Sequence, residues 1–148
     1  MSTLVVFYSR RGIARRIAND YHSYKNADVI DLRVKRNYQG SFGYLKSRSD
    51  SIKKYLPELE DYDTNLDKYD KVIIIGSIWS NSICNPILSF LSQNKGKLKN
   101  IEYILINKNK LRDLSSLLQE LDYTSNVHFK RASVITVRFN RITNVKRY

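Results

Sequence analysis

Four short apolar runs, separated by stretches of helical periodicity, constrain this chain more than any other feature. They are Thr3–Tyr8 (TLVVFY), Lys71–Ile78 (KVIIIGSI), Ile101–Ile106 (IEYILI) and Ser133–Phe139 (SVITVRF). Asp28–Leu32 (DVIDL) is a weaker fifth. Continuous runs rich in β-branched and aromatic residues read as strands buried on both faces. Between them, Ile13, Ile17 and Tyr21 share one helical face, with Arg15, Arg16, Asn19 and Asp20 elsewhere around it. Phe42, Leu45, Ile52 and Leu56 form a second apolar stripe that ends at Pro57. Asn85 reads as a helix cap with Pro86 in the first turn, so that Ile87, Leu88 and Leu91 face the sheet. Leu111, Leu114, Leu117, Leu118 and Leu121 make the last stripe. The order β-α-β-α-β-α-β-α-β predicts an α/β three-layer sandwich around a parallel sheet. Right-handed crossovers leave few topologies, of which the five-stranded order 2-1-3-4-5 is a common one.

Two segments strain this pattern. The link from Arg33 to Tyr69 is long and has an acidic end, Glu58–Asp70. After the fifth strand comes a basic tail, Asn140–Tyr148, where a last helix is expected to be missing. A chain of 148 residues suits a single domain spanning 1–148.

Lys and Arg outnumber Asp and Glu by 26 to 14, a formal charge of +12. That balance favours anionic partners such as a phosphorylated cofactor, an acidic protein or nucleic acid. The alternative is a biased composition on a solvated surface. No apolar run reaches the ~18–20 residues of a membrane span. A single cysteine, Cys84, permits no internal disulfide, so a cytoplasmic protein is expected. At the start of a helix its thiolate would be favoured; otherwise it is a small buried filler. His22 and His128 have no partner at metal-ligand spacing, and no catalytic residue or metal site is assigned.

The first strand is followed by Ser9-Arg10-Arg11-Gly12-Ile13-Ala14, which leads directly into a helix. In an open α/β sheet, ligands bind outside the carboxyl ends of the strands, and this loop lies beside that crevice. Helix N-terminal N–H groups favour an anion, Gly12 permits a tight turn, and Ser9, Arg10 and Arg11 can add polar bonds. The other reading is an ordinary turn whose arginines point to water.

The stretch Leu4–Ala18 (LVVFYSRRGIARRIA) resembles the opening of the flavodoxin family, an apolar strand followed by Tyr-Ser-x-Thr-Gly-Asn-Thr and a helix. Tyr69–Leu91 resembles the family's third strand, flavin loop and following helix. Gly40–Leu59 resembles a segment between strands two and three in some flavodoxin-like proteins. The resemblance covers about residues 3–106 and implies a flavodoxin-like fold, non-covalent FMN and a role as an electron carrier or small flavin-dependent reductase, with an unidentified redox partner. It assigns the FMN phosphate to Ser9, Arg10, Arg11, Gly12, Ile13 and Ala14. It assigns the flavin ring to the loop of Ser77, Ile78, Trp79, Ser80 and Asn81, with Trp79 stacked on the isoalloxazine. Asn107 opens the loop after the fourth strand, Asn107–Lys110, which lacks the glycines and second aromatic residue common in the family.

The family's third and sixth phosphate-loop positions usually carry hydroxyls, and here they are Arg11 and Ala14; its usual Asn is Ile13. Each lost bond to a charged acceptor is worth about 1.5–3 kcal/mol, which the charge of Arg11 partly offsets. An alternative function is therefore a flavodoxin-fold module that has lost FMN and binds an anionic partner, nucleic acid or protein. Arg138, Arg141, Lys146 and Arg147, with Phe139 and Tyr148, would serve that contact.

Overall fold

The computed structural model describes residues 2–63, 65–108, 111, 113–139 and 141–148. Its elements run β1 (Thr3–Phe7), α1 (Ile13–Lys25), β2 (Asp28–Asp31), α2 (Gly40–Lys53), β3 (Lys71–Trp79), β4 (Ser82–Ile83), α3 (Asn85–Gln93), β5 (Ile101–Asn107), α4 (Leu114–Ser125), β6 (Arg131–Arg138) and β7 (Arg141–Arg147). The sheet has the order β2-β1-β3-β5-β6-β7, and β4 pairs with β3 as a short hairpin. From β2 to β6 all neighbours are parallel, and β7 closes the edge antiparallel to β6. The five parallel strands thus keep the expected order.

The apolar runs are buried on both faces because alternate residues enter different cores. Leu4, Val6, Val72, Ile74, Tyr103 and Leu105 pack with Ile87, Leu88 and Leu91 of α3 and Leu117 and Leu121 of α4. Val5, Phe7, Ile73, Ile75, Ile104 and Ile106 pack with Ile13, Ala14, Ile17 and Ala18 of α1. Each such aliphatic or aromatic side chain contributes about 1.5–3 kcal/mol when fully buried. The continuous runs therefore register the strands against helices on both sides.

The expected core face of α2 is inverted. Phe42 is 87% exposed, Leu45 60% and Ile52 67%, with Leu56 beyond the helix also exposed. The buried positions are Gly43, Ser47, Asp50 and Ser51. Two features turn the helix this way. A Cβ on Gly43 would lie 2.1 Å from the Tyr38 carbonyl carbon, so only glycine lets α2 pack on the segment before it. Asp50, 4% exposed, accepts a 2.7 Å hydrogen bond from the Tyr38 hydroxyl and forms a 2.6 Å ion pair with Arg36 Nε. Buried polar groups require partners, and this network draws the polar face inward.

Asn85 is not the cap of α3; Cys84 holds that position. The buried Asn85 amide instead donates to the carbonyls of Asp50 and Tyr55, fastening α2 to α3. The basic tail is not a free end either. Arg141–Arg147 forms β7, exposed along its whole length, and no helix follows β6 among the described residues. Asn140 lies outside the described residues.

Candidate functional site

At the end of β1 the chain turns through Ser9–Gly12. Gly12 caps α1 at φ 95°, a left-handed conformation that side chains resist, and its N–H donates to Ser9 Oγ at 2.8 Å. The N–H groups of Ile13, Ala14 and Arg15 open the helix without an intrahelical acceptor, at the positive end of its dipole. The Ile13 and Ala14 side chains are buried in the core under α1, so at these positions only the backbone is free to meet a ligand.

The end of β3 forms the second wall. Trp79 pairs with Ser82 across a two-residue hairpin in which Ser80 and Asn81 are both left-handed, at φ 48° and 65°. Such a turn favours Asn. Asn81 Oδ1 accepts from the Asp113 N–H at 3.2 Å, which ties the hairpin to the N-cap of α4. Trp79 packs edge-on against Tyr38 and Tyr8, with ring centres 5.2 and 5.9 Å apart. Its carbonyl accepts from Ser51 Oγ of α2 at 2.6 Å. The residue is half-buried, its indole held by two tyrosine rings and its backbone by Ser51.

These loops surround a cleft of about 510 Å3, within the size range of small-molecule and cofactor sites. Of the twelve positions named from the sequence, Ser9, Arg10, Arg11, Ile13, Ala14, Ser77, Ile78, Trp79, Ser80, Asn81 and Asn107 line it. Gly12 does not; it shapes the turn. The sequence reading missed Tyr44, Ser47 and Arg48 of α2, and also Lys108, all of which line the cleft. Asn109 and Lys110 lie outside the described residues.

Among the described residues, the lining holds Arg10, Arg11, Arg48 and Lys108 and no carboxylate. Partial burial and then the neighbouring Arg11 lower the Arg10 pKa; partial burial, Arg11 and Arg10 lower that of Lys108. Cations gathered in a partly buried cleft favour an anionic ligand there. Arg10 also lies over the Tyr44 ring at 5.3 Å. A shallower cavity of about 560 Å3 adjoins the cleft and shares Arg10, Arg11 and Tyr44 with it. The donor set suits an anion at the Ser9–Ala14 end and a planar apolar group beside Trp79.

Cys84 is fully buried, and burial pushes its thiol up to about 12 despite backbone N–H donors. Desolvation thus outweighs the helix N-terminus, and the residue is a core filler. His22 Nδ1 lies 2.9 Å from the Ala27 carbonyl, and His128 pairs with Asp122 at 2.6 Å. Among the described residues, no cluster of His, Cys, Asp and Glu could hold a metal ion. No helix there is long and apolar enough to cross a membrane.

No protein-family model matches the chain, and no curated protein matches it in sequence. Solved structures do. A flavoprotein from Lactobacillus acidophilus, crystallised in complex with FMN, superposes with a TM-score of 0.71 at 19% identity, covering 92% of this chain and 91% of the other. A protein assigned as a flavoprotein in Bacteroides uniformis gives 0.77 at 17% identity, covering 94% and 92%. One from Bacteroides eggerthii gives 0.74 at 18%, covering 95% and 89%. The parallel order β2-β1-β3-β5-β6 decides the class. The fold is flavodoxin-like. In this fold the cleft lies at the switch point of the sheet, where β1 is flanked by β2 and β3 and the following crossovers leave on opposite faces. The flavodoxin-like fold therefore explains why three loops distant in sequence meet there.

Proposed function

We propose that the chain binds FMN non-covalently in this cleft and acts in electron transfer or as a small flavin-dependent reductase, in the cytoplasm. One observation carries the reading: eleven of the twelve positions assigned from the flavodoxin resemblance line one cation-lined cleft. The FMN complex of the Lactobacillus acidophilus protein, which shares the fold, supports it. When bound, FMN supplies one- or two-electron chemistry. Arg10, Arg11 and the first-turn N–H groups of α1 hold the phosphate. Their charge and direct amide donors replace the hydroxyls that Arg11 and Ala14 displace. Trp79 covers the ring and excludes water, and the left-handed Ser80–Asn81 turn lines the cleft beside it.

Titration of FMN into the purified protein, followed by flavin fluorescence, tests this. A yellow protein is expected, and Trp79→Ala should weaken binding tenfold to a hundredfold, since aromatic stacking is worth about 1–3 kcal/mol per ring system. A colourless protein that takes up no FMN overturns the reading. A flavin-free module binding nucleic acid is the second reading. Its support is the segment 123–148, which has six Lys and Arg and no Asp or Glu, and whose last strand, β7, is exposed along its whole length. Affinity for nucleic acid that falls steeply with salt, in a protein that refuses FMN, distinguishes it.

A further inference from the structure

We propose that the outward apolar stripe of α2 docks an acidic electron-transfer protein beside the cleft, an inference that rests on the flavin-carrier reading. A surface helix normally buries its apolar face. Here Phe42, Leu45, Ile52 and Leu56 follow one another along the solvent side, while glycine and polar residues are held inward. Clustered exposed apolar side chains mark interaction sites.

The occupant follows from charge and position. Lys46, Arg48 and Lys53 are exposed on the same helix, whose only acid, Asp50, is buried and paired with Arg36. Arg10 and Arg11 add to the positive field at the cleft. A second copy of the chain, also at +12, is repelled by this surface. An acidic protein with an apolar contact centre is steered to it. The stripe is continuous with the cleft: Ile52 lines it, and Leu45 lines the adjoining cavity. A partner seated on α2 therefore covers the opening through which electrons leave.

The test uses the FMN-loaded full chain at low ionic strength. The probes are a strongly acidic [2Fe–2S] ferredoxin, a basic cytochrome c and phosphatidylserine-containing vesicles. Phe42 and Lys46 do not line the cleft, so Phe42→Ser and Lys46→Glu should leave FMN uptake unchanged. Each should weaken ferredoxin binding about tenfold, as loss of a central contact or of charge complementarity does. Added salt should weaken the wild-type complex and have less effect on Lys46→Glu. The proposal is overturned if the ferredoxin does not bind, if the cytochrome binds equally well, or if Phe42→Ser binds like wild type. It is also overturned if vesicles bind in place of ferredoxin, or if the chain self-associates through Phe42. FMN uptake without docking removes this proposal alone; failure of FMN uptake removes the carrier reading and this proposal with it.

Discussion

Reversing the charge at Arg10 and Arg11 together should lower FMN affinity by more than about a hundredfold and leave riboflavin affinity almost unchanged. The two ligands differ by the phosphate, so the difference between them isolates the anion subsite. A charge-assisted hydrogen bond is worth about 1.5–3 kcal/mol, and about 2.7 kcal/mol corresponds to a hundredfold. Losing two such bonds and adding two negative charges exceeds that. The same crowding predicts a second effect. Arg10 and Lys108 have lowered pKa values in part because they face other cations. Arg10→Glu/Arg11→Glu should then melt no lower than wild type without ligand, while losing the stabilisation that FMN gives the wild type. Calorimetric titration with both flavins and thermal melts with and without FMN check it. Equal loss of FMN and riboflavin would place the phosphate elsewhere.

The sequence disclosed the frame because each parallel strand is buried on both faces. Ile73, Ile74 and Ile75 are apolar in succession for that reason, and they enter alternate cores. The site was legible as a consequence of that frame: loops at the carboxyl ends of β1, β3 and β5 must meet at the switch point. Period alone could not orient α2. Its stripe has ordinary amphipathic spacing, and only the approach of Gly43 to the Tyr38 backbone and the Asp50 network turn it outward. For that reason Tyr44, Ser47 and Arg48 were missed as cleft residues. β7 was hidden differently: RITNVKR has no consistent apolar face, and the strand exists through its pairing with β6 after a left-handed Phe139. Asn85 looked like a cap because the residue type fits one. Its buried amide is used for long-range bonds to α2, which no local pattern records.

Alkali should unfold this protein cooperatively between about pH 10 and 12, below the point at which its buried phenols ionise. Burial raises Tyr8 to about 12 and Cys84 to about 12. Burial, reinforced at Tyr38 by its bond to Asp50, also raises Tyr38 and Tyr103. In the unfolded chain these groups lose their protons at the ordinary values of 9.0 and 10.0. Above those values the folded state keeps protons that the unfolded state has released, so stability falls as pH rises; below about pH 9 this contribution is fully present. Each such group costs about 1.4 kcal/mol per pH unit, so four together approach about 5–6 kcal/mol per unit. A domain of this size has only about 5–15 kcal/mol to lose. Tyr103→Phe should make the loss of helical circular dichroism with pH shallower, because one of the four groups no longer titrates on unfolding. The tyrosinate absorbance of the exposed tyrosines does not report on this, but the share that comes from Tyr8, Tyr38 and Tyr103 should appear together with that loss. If all the tyrosines titrate smoothly near pH 10 while the secondary structure persists, Tyr8 and Tyr38 are not held against Trp79, and the cleft would lack that support.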